Sequence, residues 1–227
     1  MCDKYDVFLH RMAEYRTKMD ITQVEVSDEL GITQSQLSKM ELGKTIYSFK
    51  VLQCLYAQKW DIDYFITGKK YNYVVSEVSH MIDEAAEKTE LLQLVAWAFE
   101  HVLQKSNAWN EADIQFEVRL LKQRAHVAEA HSLLYDIKVV SGVSQPVLAD
   151  KIGVNIKKYR LLERNKINPD AELLLRIYEE TGCRPGLWLD PDNVDKMIIS
   201  DLWQLIPPQV QEEILLLMKQ GMSVLEL

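Results

Sequence analysis

Apolar residues recur along this chain with the spacing of α-helices. Phe8, Met12, Tyr15 and Met19 follow one another at steps of three or four residues, which places their side chains on one face of a helix. Segment 89–105 is apolar on most sides, which indicates a helix buried from several directions. The pattern predicts an all-α fold.

Turn residues mark where the predicted helices begin and end. Gly31 is expected in the left-handed conformation that ends a short helix, and Thr33 is expected to cap the next helix. Gly43 ends that second helix. The segment therefore predicts two short helices joined by a glycine-containing turn.

The same plan returns later in the chain. The first repeat, Ile21–Lys44, aligns without a gap to the second repeat, Val143–Lys166, at a constant offset of 122 residues. Asn165 stands where the first repeat has Gly43, and Asn also enters the left-handed region readily. Segments 89–105 and 208–220 coincide at the same offset, so the sequence predicts the duplication of a whole helical domain.

The alignment sets the expected domain organisation. We expect a helix-turn-helix domain and a helical extension with linker, followed by a second copy of each. The predicted ranges are 1–70, 71–127, 128–192 and 193–227. Because no Pro or Gly lies between Asn110 and Val140, one continuous helix is expected to join the linker to the second copy.

Charge is distributed unevenly. The net charge is −8 at pH 7, which opposes binding to DNA as a whole. The acidic excess lies outside residues 1–70 and 132–193, and the second repeat carries a basic cluster of Lys157, Lys158, Arg160, Arg164 and Lys166. This cluster fits phosphate contacts or, alternatively, an ordinary solvated helix face.

Other function classes find little support in the sequence. The three cysteines, Cys2, Cys54 and Cys183, form no C-x-x-C pair, and the histidines show no metal-binding spacing. We therefore expect no metal, no cofactor and no enzymatic activity. No stretch has a signal-peptide pattern or the length of a membrane span, so a cytoplasmic protein without a membrane partner is expected.

The repeated motif resembles the Cro/phage-repressor type of helix-turn-helix, the xenobiotic-response-element regulator family. Each repeat begins with Thr/Ser-Gln, turns at Gly, and ends its second helix near a Glu and a Lys. The resemblance implies two tandem lambda-repressor-like domains, each with a C-terminal helical extension. It also implies a bacterial or phage transcriptional regulator of double-stranded DNA, with recognition helices at 34–42 and 156–164 that enter the major groove.

The family's contact positions can be carried onto this sequence. Base-reading positions are Gln34, Ser35, Lys39 and, in the second repeat, Lys157. Phosphate-binding positions are Gln23, Thr33, Gln36, Lys44, Gln145, Asn155, Lys158, Arg160 and Lys166. The family's structural ion pair implies pairing of Arg16 with Glu41 and of Lys138 with Glu163.

The second repeat departs from this pattern. Ile156 and Leu161 occupy reading positions, where they could touch only thymine methyl groups, so the repeat is expected to contribute mainly phosphate contacts. Alternatively this surface docks protein, and the chain is an antitoxin-like or adaptor module.

The quaternary arrangement also has two interpretations. Since the two repeats are tethered and differ at their reading positions, one chain is expected to bind an asymmetric site. A homodimer through the apolar helices 89–105 or 208–220 would instead present four recognition helices.

Overall fold

The computed structural model describes residues 3–74, 76–85, 87–126 and 131–225. Within these residues the chain forms fifteen α-helices and no strand, which confirms the all-α prediction. The helices are α1 Asp3–Lys18, α2 Gln23–Leu30, α3 Gln34–Glu41, α4 Phe49–Ala57, α5 Ile62–Thr67, α6 Glu77–Glu84, α7 Lys88–Leu103, α8 Ala112–Ala125, α9 Leu133–Ser141, α10 Gln145–Lys151, α11 Ile156–Glu163, α12 Ala171–Thr181, α13 Gly186–Leu189, α14 Val194–Leu205 and α15 Pro208–Leu225.

The helices gather into two compact units. Unit 1 comprises Met1–Tyr71 and Ala149–Pro191, and unit 2 comprises Asn72–Leu148 and Asp192–Leu227. Each unit therefore combines an early and a late part of the chain. The two units are defined by which helices pack together, and each is discontinuous in sequence. The four ranges expected from the duplication are instead consecutive along the chain.

Unit 1 is built around one apolar core. α1 packs against α3 and α5, and α2 packs against α3 and α4. The core includes the fully buried Phe8, Leu52 and Phe65 from the early segment, and the Phe8 and Tyr47 rings meet edge to face at 5.5 Å. Residues of the late segment complete the same core: Ala171, Leu174, Leu175 and Leu189.

Unit 2 is organised around α7. This helix packs against α6, α8 and α15, while α8 packs against α9 and α14. The side chains of α7 that these contacts bury are Leu91, Leu94, Val95, Ala96, Ala98, Phe99, Val102 and Leu103. Most of the apolar surface expected of segment 89–105 is thus covered by other helices of the same unit, whereas Trp97 keeps 47 % of its surface exposed.

The expected continuous helix between Asn110 and Val140 is wrong. α8 ends at Ala125 and α9 begins at Leu133, with Ser132 as its N-cap accepting a hydrogen bond from the Tyr135 amide at 3.2 Å. Residues 127–130, and with them the expected domain boundary, lie outside the described residues. A capping serine starts a new helix without any Gly or Pro.

A buried ion pair crosses unit 1. The Arg184 guanidinium donates to Asp63 Oδ2 at 2.6 Å, and the Gly186 amide donates to Asp63 Oδ1 at 2.6 Å. The two side chains are only 7 % and 6 % exposed. Burial raises the pKa of Asp63, whereas the Arg184 charge and the Gly186 amide oppose that rise. The central carbon of the Arg184 guanidinium lies over the Tyr71 ring, 4.7 Å from the ring centroid.

This geometry predicts a non-additive effect of substitution. Arg184→Met leaves the Asp63 carboxylate buried without its cation and should lower the free energy of unfolding by about 3–5 kcal/mol. Adding Asp63→Asn removes the charge and retains an acceptor for Gly186, so the double variant should recover a large part of that loss. Denaturant unfolding of the two single variants and the double variant measures the coupling. Equal stability of Arg184→Met and the double variant would contradict the prediction.

Candidate nucleic-acid interface

The turn between α2 and α3 follows from one left-handed residue. Gly31 has φ 64° and ψ 34° and ends α2, with its amide donating to Asp28 O at 3.1 Å. The next amide, of Ile32, donates to Ser27 O at 3.0 Å. This bonding satisfies the last carbonyl groups of α2 and redirects the chain into α3.

Both helices of the turn begin with a reciprocal cap. Thr33 Oγ1 accepts from the Gln36 amide at 3.2 Å, and Gln36 Oε1 accepts from the Thr33 amide at 2.8 Å. Thr22 and Glu25 form the same arrangement at the start of α2. The caps fix the directions of both helix N-termini, whose amides are the usual ligands of phosphate in such motifs.

The two faces of α3 differ in chemistry. Leu37 and Met40 are buried in the core of unit 1, whereas Gln34, Ser35 and Lys39 are exposed. The helix ends at Glu41, one residue before the expected end. α3 therefore presents polar side chains able to donate and accept hydrogen bonds on its free face.

A chain of hydrogen bonds connects α1 to that exposed face. Arg16 in α1 donates two hydrogen bonds to the Glu41 carboxylate, from Nε to Oε1 at 2.7 Å and from Nη2 to Oε2 at 3.1 Å. Gln23 Nε2 donates to Glu41 Oε2 at 2.6 Å, and Gln34 Nε2 donates to Gln23 Oε1 at 2.6 Å. The hydrogen bond with Glu41 raises the pKa of Arg16, which favours the charged guanidinium.

The end of α3 is repeated in backbone detail at the end of α11. Gly43 has φ 68° and Asn165 has φ 53°, so the left-handed conformation expected at Asn165 is confirmed. The amides that follow, of Lys44 and Lys166, donate to Lys39 O and Leu161 O, each at 2.8 Å. The exposed side chains of Lys44 and Lys166 thus leave the backbone at equivalent points.

The turn before α11 also matches the first repeat. Gly153 has φ 68° and donates to Asp150 O at 3.0 Å, and the Val154 amide donates to Ala149 O at 2.9 Å. Asn155 caps α11 by accepting from the Lys158 amide at 2.9 Å. Each of these bonds has a counterpart in the first repeat.

The exposed face of α11 has a different composition. Tyr159 and Leu162 are buried, and Lys157 and Arg160 are exposed. Leu161, the counterpart of Lys39, keeps 45 % of its surface exposed. The remaining members of the predicted basic cluster are the half-buried Lys158 and the exposed Arg164 and Lys166.

The predicted site residues separate into those that the structure joins and those that it leaves apart. Arg16, Glu41, Gln23 and Gln34 belong to one hydrogen-bonded network. Glu163 accepts from the Tyr159 hydroxyl at 3.4 Å, and the Lys138 ammonium lies 4.1 Å from the centroid of the Tyr135 ring, so the pairing of Lys138 with Glu163 stays a prediction.

The connection between Gln23 and Gln34 was not foreseen from the sequence, which placed them separately as phosphate and base contacts. The available signal was the pair of glutamines that begin α2 and α3 at a bend between the helices. In the second repeat Gln145 is retained, but Ile156 replaces the second glutamine and has no amide to accept or donate.

Comparison with known proteins supports the helix-turn-helix interpretation of the first repeat. Residues 12–53, from within α1 to within α4, match the helix-turn-helix family model, and the match supports the Cro/C1-type family for this segment. Proteins of this family are generally DNA-binding regulators and are typically not enzymes. No curated protein and no solved structure matches the chain. Among the described residues, no helix has both the length and the apolar character to cross a membrane.

The network predicts that Glu41, at the end of α3, matters for the stability of unit 1. Glu41→Ala removes charged hydrogen bonds from a site where the Arg16 and Glu41 side chains are 17 % and 11 % exposed. We expect a loss of about 1.5–3 kcal/mol in the free energy of unfolding.

Glu14→Ala is the matched control, because Glu14 also pairs with a cation, Lys18, but at the surface. This control should change stability little. Denaturant unfolding compares the two variants, and equal effects would mean that the network does not hold α3 in place.

Proposed function

We propose that this chain is a sequence-specific transcriptional regulator that inserts α3 into the major groove of DNA. In this proposal the first repeat reads bases and the second contributes mainly phosphate contacts. The observation that carries it is the bond network from Arg16 through Glu41 and Gln23 to Gln34, which orients a polar side chain on the exposed face of α3.

The chemistry of Gln34 suits base recognition. A glutamine amide can accept and donate at once, which allows a bidentate contact with adenine. The bond between Gln34 Nε2 and Gln23 uses one amide hydrogen and leaves the other hydrogen and Oε1 for a base. Because Gln23 restricts the Gln34 side chain before DNA arrives, less conformational entropy is lost on binding.

Phosphate contacts would surround this reading face. The N-termini of α2 and α3 carry backbone amides, and the side chains assigned to phosphate in the first repeat are Gln23, Thr33, Gln36 and Lys44. The cap formed with Thr33 uses Gln36 Oε1, so the Gln36 NH₂ group is the part suited to an anion. Such contacts fix the register of a protein on the duplex without reading sequence.

The side chains of the second repeat suit phosphate contacts more than base contacts. Lys157, Arg160 and Lys166 are exposed cations on or next to α11, and Asn155 caps its N-terminus. A cationic helix with apolar side chains at reading positions gains most of its binding energy from phosphates, which depends weakly on sequence and strongly on salt.

A second candidate function is supported by the exposure of Leu161. An apolar side chain that replaces the cationic Lys39 favours contact with protein, and the net charge of −8 fits a chain that works away from DNA. In this alternative α11 docks a protein partner, as in an antitoxin-like or adaptor module. The salt dependence of DNA binding distinguishes the two functions.

Base reading by the first repeat predicts a sequence-dependent loss. On a site selected from random duplexes, Gln34→Ala or Lys39→Ala should weaken binding by about 1–3 kcal/mol, with little change on unselected DNA. Lys50→Ala removes the same charge from an exposed position on α4 and serves as the control. If Gln34→Ala or Lys39→Ala weakens binding to selected and unselected DNA equally, the side chain contacts only phosphate.

Phosphate binding by the second repeat predicts a change in salt dependence. Lys157→Glu with Arg160→Glu should weaken binding to all sequences and flatten the slope of log K against log salt by about 0.9 for each phosphate that the helix no longer neutralises. Lys88→Glu with Lys105→Glu makes the same change of charge at exposed positions of unit 2 and should leave the slope nearly unchanged. An unchanged slope for the α11 variant would assign this helix to protein docking.

A further inference from the structure

The two halves of unit 1 are built from equivalent helices. The N-caps of α4 and α12, Ser48 and Asp170, lie 122 residues apart, the same offset that aligns the two repeats. A left-handed residue follows each helix, Lys59 with φ 68° two residues after the end of α4 and Gly182 with φ 74° directly after α12, and a shorter helix comes next. Thus α12 is the counterpart of α4, and α13 is the counterpart of α5.

The contacts between these helices are reciprocal. α12 packs against α5, and α13 packs against α4, so exchanging each helix for its counterpart reproduces the same pair of contacts. Such reciprocity is the defining property of an isologous interface around a two-fold axis. A head-to-tail arrangement would instead bring two different surfaces together.

Burial agrees with this interpretation. Leu52, Leu55 and Phe65 from α4 and α5 share one core with residues of α12 and α13. The side chains contributed from the late segment are Ala171, Leu174, Leu175 and Leu189. The two halves of unit 1 therefore meet through a continuous apolar interior instead of a solvated linker contact.

Unit 2 shows pairing of equivalents independently. α7 lies against α15, and α6 lies against α14. At the offset of 122 residues, α7 falls on α15 and α6 overlaps α14. Self-pairing of equivalent helices is again what a two-fold arrangement produces. The helices that precede the two repeats do not follow this two-fold pairing, because α1 belongs to unit 1 and α9 to unit 2.

We infer that α4–α5 and α12–α13 are related by an internal pseudo-two-fold axis, so that one chain binds two unlike half-sites in inverted orientation. This inference rests on the proposed DNA-binding function. Both proposed recognition helices lie in unit 1, and the backbone bonds at the two ends of α3 recur at the two ends of α11. The inference therefore extends the axis that exchanges α4 with α12 to the exchange of α3 with α11. Half-sites in direct orientation would need a translation between the repeats, which is incompatible with reciprocal contacts.

The test makes α11 resemble α3. The variant Ile156→Gln, Lys157→Ser, Leu161→Lys in the full chain places the side chains of the first repeat's reading positions on the second. Sequence selection from random duplexes should then yield an inverted repeat of the half-site read by α3, with centres about one helical turn, roughly 34 Å, apart. Native mass spectrometry should show one chain on each duplex.

Affinity provides a second readout. Two matched half-sites joined in one chain should bind at least about 100-fold more tightly than a duplex with one half-site. The control Ile156→Ala, Lys157→Ala, Leu161→Ala should lose the second half-site without gaining an inverted copy. Since Ile156 is half-buried, thermal unfolding checks each variant, and Lys157→Ser with Leu161→Lys repeats the test at exposed positions alone.

The outcomes separate this inference from the proposed function. A direct repeat, an unchanged single half-site, or two chains on a long palindrome would overturn the internal two-fold while DNA binding stands. Failure of the unmodified chain to enrich any sequence at low salt would overturn the proposed DNA-binding function itself.

Discussion

Burial of the apolar faces of α12 and α13 in the same core as α4 and α5 is the constraint on which unit 1 depends. A short helix-turn-helix segment buries too little surface to be stable alone, and each added leucine side chain contributes about 1.5–3 kcal/mol when it leaves water. That core joins side chains of the early segment to Ala171, Leu174, Leu175 and Leu189 of the late segment. Since Leu37 and Met40 of α3 belong to the same core, the stability of unit 1 and the placement of α3 are linked.

Within the first repeat, Glu41 connects that core to the exposed surface. Its helix is anchored below by Leu37 and Met40, and its carboxylate is fixed by Arg16. Through Gln23 the same carboxylate restricts Gln34, so an ion pair whose net contribution to stability is modest still determines where an exposed side chain of α3 lies. The second repeat keeps Gln145 and Glu163 at the positions of Gln23 and Glu41. It has Ile156 at the position of Gln34, and this side chain has no amide to form the equivalent hydrogen bond.

Local structure was predictable from the sequence where one residue determines it. The caps at Thr33 and Asn155 and the left-handed Asn165 follow from side-chain chemistry within a few residues, and all three are present. The break before α9 was missed because Ser132 acts as a cap without a Gly or Pro. The packing of α12 and α13 on α4 and α5 was also missed, since an amphipathic pattern shows that a face is apolar but not which helix covers it. The bond between Gln23 and Gln34 depends on the angle between two helices, which no local pattern encodes.

The two aligned segments share the backbone bonds of the turn and differ at their surfaces. The hydrogen bonds of both turns recur because they are required for the chain to fold, whereas exposed positions such as Lys39 and Leu161 carry little folding energy and can diverge. The interface has also departed from strict symmetry. At the offset of 122 residues, the counterparts of Asp63 and Arg184 are Pro185 and Ile62, so the buried ion pair has no mirrored copy. The interface thus has an ion pair at one position and the uncharged Ile62 and Pro185 at the equivalent position. Such a difference fits two unlike surfaces held in one chain better than two identical surfaces from separate chains.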